Sequence, residues 1–167
     1  MTNKLRCLFG HHNYIIPDKN DPDILICDVC KRFGYRKWSS GFEMWFEYDE
    51  KGNVIHWKDS SGFEEWFDEK GNEIHRKYSD GYEMWFDEKG NMIHRKYSNG
   101  YEVWYEYDEK GNMIYSKDSN GLEVWYEYDE KRNKIHWKDS SGNEEWYEYN
   151  EKGNIIKQIQ GTLKQRI

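Results

Sequence analysis

The stretch Gly121-Leu-Glu-Val-Trp-Tyr-Glu-Tyr-Asp-Glu-Lys-Arg-Asn-Lys-Ile-His-Trp-Lys-Asp-Ser-Ser141 is one copy of a unit that the chain repeats six times. Copies begin at Gly41, Gly62, Gly81, Gly100, Gly121 and Gly142, with spacings of 21, 19, 19, 21 and 21 residues. A fixed internal period outranks local propensity, because each unit must bury its faces against its neighbours. Every copy places Glu two residues and Trp four residues after its leading Gly: Glu43/Trp45, Glu64/Trp66, Glu83/Trp85, Glu102/Trp104, Glu123/Trp125 and Glu144/Trp146. An aromatic follows each Trp, then a Glu-Lys-Gly-Asn turn (Glu-Lys-Arg-Asn in the fifth copy), an Ile and usually a His. Aromatic and charged residues alternating over short runs, punctuated by Gly and Asn, read as two strands per copy.

Two turns recur. Asp49-Glu50-Lys51-Gly52 fits a type I turn with a glycine bulge. Arg132 replaces that glycine in the fifth copy, which predicts a strained or reshaped turn. Asp80-Gly81, Asn99-Gly100 and Asn120-Gly121 fit two-residue type I′ hairpins. Together these turns predict Trp45 opposite Trp57 and Trp57 opposite Trp66. One face then carries Trp45, Trp57, Trp66, Trp85, Trp104, Trp125, Trp137 and Trp146, with Arg76 and Arg95 as cation–π neighbours of Trp85 and Trp104. The other face carries Phe42, Phe46, Tyr48, Phe67, Phe86, Tyr105, Tyr126 and Tyr147 with His56, His75, His94 and His136. Were both turns three-residue loops, Trp45 and Trp66 would fall on opposite faces, because side chains alternate with period two. The 19-residue copies lack the Glu-Tyr of the longer ones, a deletion of two residues that keeps every side chain on its face.

The hydrophobic fraction of 36% is too low for a thick aliphatic core, and aromatics at 18% of the chain supply half of it. The fold class predicted is all-β: an antiparallel meander of repeated β-hairpins forming a twisted, elongated sheet or spiral, with a small N-terminal zinc-knuckle cap. The boundaries expected are 1–37 for the cap, 38–161 for the six copies and 162–167 for a basic tail. No stretch resembles a membrane span or an export signal. The net charge of −7 is uneven: residues 42–156 hold fifteen Lys/Arg against twenty-eight Asp/Glu. Such a surface repels phosphates, so direct nucleic-acid binding is disfavoured and a protein with a basic surface is the expected partner.

All three cysteines lie ahead of the repeats. Cys27-Asp-Val-Cys30 is a two-residue-spaced knuckle, and Cys7 precedes His11 and His12 by four and five residues. Three thiolates and one imidazole complete a tetrahedral zinc site, so Cys7, Cys27, Cys30 and either His11 or His12 are the candidate ligands. Four protein ligands leave no open position, which marks the expected Zn2+ as structural. An odd cysteine count without an export signal argues against disulfides and for a cytoplasmic setting. This stretch resembles short zinc-binding proteins of prophages and bacteria that begin Cys-x-Phe-Gly-His, and the resemblance implies His11 as the fourth ligand. After Cys30, Tyr35 to Gly41 aligns with the second half of a repeat, so the cap is expected to cover the sheet's leading edge.

The pattern Tyr105-Glu-Tyr-Asp-Glu-Lys-Gly-Asn112 resembles the YD/RHS repeats of bacterial surface and toxin-carrying proteins. In period and aromatic content it is also similar to the hairpin repeats of choline- and glucan-binding modules. Both resemblances imply hairpin architecture; neither implies an activity. No nucleophile–base context and no glycine-rich phosphate loop is present, so the expected function is not enzymatic. The four His are read as strand residues packing on Phe and Tyr, with Tyr115 in the fourth copy breaking any ligand row. Carboxylate pairs such as Glu43/Glu47 are read as surface charge. The expected role is a phage- or mobile-element-encoded inhibitor or adaptor, its acidic aromatic sheet bound to a basic surface of a nucleic-acid-handling defence protein. The alternative is a small-ligand or carbohydrate module that uses the aromatic ladder.

Overall fold

A computed structural model describes residues 14–17, 24–27 and 32–162, and within them every regular element is a strand. Two compact units divide at Gly90/Asn91. The first holds β1 (Tyr14–Pro17), β2 (Leu25–Cys27), β3 (Phe33–Lys37), β4 (Glu43–Tyr48), β5 (Val54–Asp59), β6 (Glu64–Phe67), β7 (Glu73–Lys77) and β8 (Glu83–Phe86). The second holds β9 (Met92–Lys96), β10 (Glu102–Tyr107), β11 (Met113–Asp118), β12 (Glu123–Tyr128), β13 (Lys134–Asp139), β14 (Asn143–Tyr149) and β15 (Ile155–Thr162). Within each unit spatial order equals chain order, and no pairing joins the first strand to the last among the described residues. Each is therefore an open antiparallel meander. Cys7, His11, His12 and Cys30 of the zinc-knuckle cap lie outside the described residues, as does the tail after Thr162.

Both hairpin turns are three-residue loops of the same kind. In the first, Asp49 N–H donates to Asn53 O and Gly52 N–H to Asp49 O; in the second, Asp59 N–H donates to Phe63 O and Gly62 N–H to Asp59 O. Tyr78 to Tyr82 and Tyr97 to Tyr101 repeat that geometry. A type I′ turn needs positive φ at both central residues. Asp80, Asn99 and Asn120 do not have it; among the described residues Arg132 is the single non-glycine with positive φ, at 69°. The expected two-residue hairpins are thus corrected. The Asn99 and Asp80 side chains instead accept Tyr101 and Tyr82 N–H at 2.9 Å, closing local turns that leave only the glycine left-handed.

Two odd loops would have put Trp45 and Trp66 on opposite faces, yet they share one. The missing parity step is a β-bulge inside every outgoing hairpin whose pairing is described. Glu47 pairs with His56 and Tyr48 with Val54, leaving Ile55 as the extra residue. Ile74, Ile114, Ile135 and Ile156 occupy the same place in their hairpins. In the second unit a tyrosine of each later hairpin also reaches back to the hairpin before it: Tyr107, Tyr128 and Tyr149 hydroxyls donate to Met92, Met113 and Lys134 O at 2.8, 2.9 and 2.8 Å.

Packing between neighbouring strands replaces a deep core. Most strand residues are half-buried on both faces. The buried exceptions in the first unit cluster at its start, where Ile24, Cys27 and Tyr48 are 9%, 0% and 5% exposed. Gly34 makes that cluster: a Cβ there would meet Ile24 Cγ2 and the Tyr48 ring at 3.0 Å.

Candidate functional site

The bulge reassigns the two faces. Phe46 pairs with Trp57, Trp57 with Glu65, and Glu65 with Arg76, so Trp57 and Arg76 share the Phe46 face. Trp137 lies likewise between Tyr126 and Glu145, and Arg95 opposite Val103. The expected single face of eight indoles is corrected: Trp57 and Trp137 are on the face opposite to the copy-leading Trp of their own units. Those leading residues are Trp45, Trp66 and Trp85 in the first unit and Trp104, Trp125 and Trp146 in the second. The histidines sit with the leading Trp and not with Phe and Tyr. The expected Arg76–Trp85 and Arg95–Trp104 pairs are corrected too. Arg76 lies 6.0 Å from the Phe63 ring and bridges Glu65 and Glu73, and Arg95 lies over Tyr97 and Tyr105 at 5.2 and 5.4 Å.

On the leading-Trp face, imidazole and indole stack. His56 lies 4.5 Å from Trp66 at 8°, Trp66 lies 4.3 Å from His75 at 21°, and His75 lies 4.5 Å from Trp85 at 10°. In the second unit His94 stacks on Trp104 at 5.0 Å and His136 on Trp146 at 4.8 Å. The Glu two residues before Trp66, Trp85 and Trp104 holds the imidazole from the side: His56, His75 and His94 Nε2 lie 3.2, 3.0 and 2.9 Å from Glu64, Glu83 and Glu102 Oε2. Burial outweighs the Glu83 carboxylate and pushes His75 below its ordinary value, so the neutral ring is favoured. Tyr35 and Tyr115 take the imidazole's place beside Trp45 and Trp125, tilted at 43°.

The opposite face has its own carboxylate centre. Glu145, 6% exposed, accepts from Trp137 Nε1 at 3.0 Å, from the Tyr147 hydroxyl and from Gln158. Those donors, Gln158 foremost, pull its carboxyl down to about 2. Trp57 Nε1 makes the matching bond to Glu65 at 3.1 Å in the first copy.

A groove of about 550 Å³ opens on the leading-Trp face of the first unit, lined among others by Phe33, Trp45, Glu47, His56, Lys58 and Glu64. Phe33 on β3 pairs with Glu47 on β4, and Glu47 with His56 on β5. Trp45 pairs with Lys58, whose Nζ lies 5.8 Å from the indole centroid. Glu47 Oε1 is 3.5 Å from His56 Nδ1, and its side chain is 46% exposed. The reading of Glu47 as plain surface charge missed this arrangement, which exists only through the bulge-shifted register.

Of the four candidate zinc ligands, Cys27 is described, fully buried at the end of β2 opposite Tyr14. Among the described residues no three His, Cys, Asp or Glu side chains gather to hold a metal. No helix among them is long and apolar enough to cross a membrane.

No known protein family matches the chain, and no curated protein does. Among solved structures, a chain of the Photorhabdus luminescens Tc holotoxin pore is similar at 17% identity and a TM-score of 0.41, over 69% of this chain and 7% of that one. A crystal structure of TcdB2–TccC3 is similar at 13% identity and a TM-score of 0.43, over 84% of this chain and 9% of its own. This chain spans less than a tenth of the length of the solved chains it matches. At that level the likeness carries no argument about activity.

Proposed function

We propose that this chain is a non-enzymatic binding protein, an inhibitor or adaptor whose acidic hairpin meander docks on a basic surface of a partner protein. The observation that carries the reading is the charge of the repeats, fifteen basic against twenty-eight acidic side chains in residues 42–156, spread over the open meander of each unit. Complementary fields of this kind accelerate encounter and select the partner. Phage or mobile-element origin, with a nucleic-acid-handling defence enzyme as target, is the specific form of the proposal, and a structural Zn2+ held by Cys7, His11, Cys27 and Cys30 belongs to it. A cytoplasmic setting is the corresponding proposal for location. The stacked histidines count against the carbohydrate alternative, because they cover the indole faces of Trp66 that a sugar ring would need.

The test is capture from a bacterial lysate by the immobilised full-length chain at low and high salt. A basic partner retained at low salt and shed at high salt supports docking through charge. Absence of any salt-sensitive partner removes the electrostatic reading.

A further inference from the structure

The groove over Trp45 sets one carboxylate, Glu47, among aromatic side chains and a lysine. On the leading-Trp face, Phe33, Glu47 and His56 form one row across β3, β4 and β5. That row continues as Trp66, His75 and Trp85, each ring on its own strand. The stack therefore runs without a break from Trp85 to His56 and then meets a carboxylate where a ring would stand. Strands two apart are separated by about 9–10 Å, whereas a flat group in contact with a ring on each side needs about 7–8 Å. Strand spacing alone therefore leaves room for one planar layer between the strands of Phe33 and His56, with the half-exposed Glu47 carboxylate in the row between them.

Other long copies lack this combination. Glu127 has His136 on one side, but Met113 stands at the register position on the other. Glu106 faces Tyr115 on β11, with Met92 at the corresponding position of β9. Glu148 faces Lys157. Only the first copy sets an aromatic residue on both flanking strands, because Phe33 comes from the segment ahead of the repeats.

We propose that this groove binds the guanidinium of an arginine side chain presented by a partner protein, with Glu47 accepting its N–H groups and Phe33, Trp45 and His56 covering its plane. Guanidinium is the cation that combines a flat face for aromatic contact with a row of donors for a carboxylate. The wall already holds a cation of the protein itself, since Lys58 Nζ lies on the Trp45 indole. Lys58 is an exposed side chain and swings aside as the ligand enters, so it competes with it. This inference rests on the reading of the chain as a binder of basic proteins, and names the group that is recognised.

The experiment titrates the full chain with an acetylated Gly-Arg-Gly amide peptide, following the Trp45 indole N–H and the His56 ring by NMR. Peptides with lysine and with citrulline in place of arginine are the controls. The expected result is a saturable shift confined to Phe33, Trp45, Glu47 and His56, strongest for arginine. Glu47→Gln weakens it about tenfold, the loss of a charge-assisted bond. Lys58→Met strengthens it about threefold by removing the competing charge. Equal shifts from the citrulline peptide, no localised shift at millimolar arginine peptide, or indifference to both substitutions would overturn the assignment. The titration needs no partner, so its failure leaves the docking proposal standing. Conversely, arginine binding with no salt-sensitive partner in the lysate removes the docking proposal alone.

Discussion

The Trp66 indole stacks on the His75 imidazole at 4.3 Å, whereas Trp45, one copy earlier, faces Lys58 across the equivalent pair of strands. The difference is the Glu-Tyr that the 19-residue copies lack. Removing two residues from the outgoing strand keeps Trp66 on its face but slides it one pair towards the turn, from the lysine position to the histidine position.

Inserting Glu-Tyr between Phe67 and Asp68 is expected to restore the long-copy register, with Trp66 facing Lys77 and the sheet intact. The cost is that of one aromatic pair, about 0.5–1.5 kcal/mol. Inserting a single residue there inverts the faces of everything up to the turn and should abolish cooperative unfolding. Urea denaturation followed by tryptophan fluorescence separates the two outcomes.

Arg132 holds φ at 69°, and its Nε donates to Asn112 Oδ1 of the preceding turn at 2.8 Å. The side chain offsets part of the backbone strain. Arg132→Ala keeps the strain and loses the bond, and is expected to cost about 1–2 kcal/mol. Arg132→Gly loses the bond and relieves the strain, and should come out about 1 kcal/mol more stable than the alanine variant. Thermal unfolding of the three proteins checks the order.

Gly34→Ala drives a methyl to 3.0 Å from Ile24 and from the Tyr48 ring. Overpacking of this kind costs about 1–3 kcal/mol. Hydrogen exchange should show the loss at β3 and β4, with the amides of β10–β14 unchanged.

Acid should unfold the repeats through their carboxylates. Turn hydrogen bonds, from Asn72 to Asp68 and from Asn112 to Asp108, hold these aspartates below their ordinary value of 3.8, and Glu145 lies at about 2 against 4.5. A depressed folded value means that the stabilisation is complete above the unfolded value and is lost as pH falls from 4.5 towards 2. His75 acts in the same direction at higher pH, its lowered value withdrawing stability as pH drops through 6.5. Urea midpoints measured from pH 7 down to pH 3 should fall, and Glu145→Gln should flatten the lower part of that curve.

The zinc proposal has its own check. Metal analysis of protein purified without added metal should give one zinc per chain, and Cys27→Ser should lose it. Zinc content unaffected by that substitution would remove Cys27 from the ligand set.

Much of this architecture was legible in the residues. The copies beginning at Gly41 through Gly142, the strand pair in each and the Asp-x-x-Gly turn at Asp49 follow from period and turn chemistry, which are local properties. So does the harmlessness of the two-residue deletion. The face of Trp57, Trp137 and the four histidines did not follow. It depended on a bulge at Ile55 and its counterparts, and an isoleucine in a bulge is indistinguishable by type from one in a regular ladder. Whether Asn99-Gly100 closes a two- or three-residue loop was equally open, because the choice lies between an Asn backbone forced left-handed and an Asn side chain bonding forward. Pairing across strands settled both, since register is a relation between segments and a one-residue slip moves every side chain to the other surface. The groove at Glu47 belongs to that second category: its flanks come from β3 and β5, and only the folded sheet brings Phe33 and His56 to either side of one carboxylate.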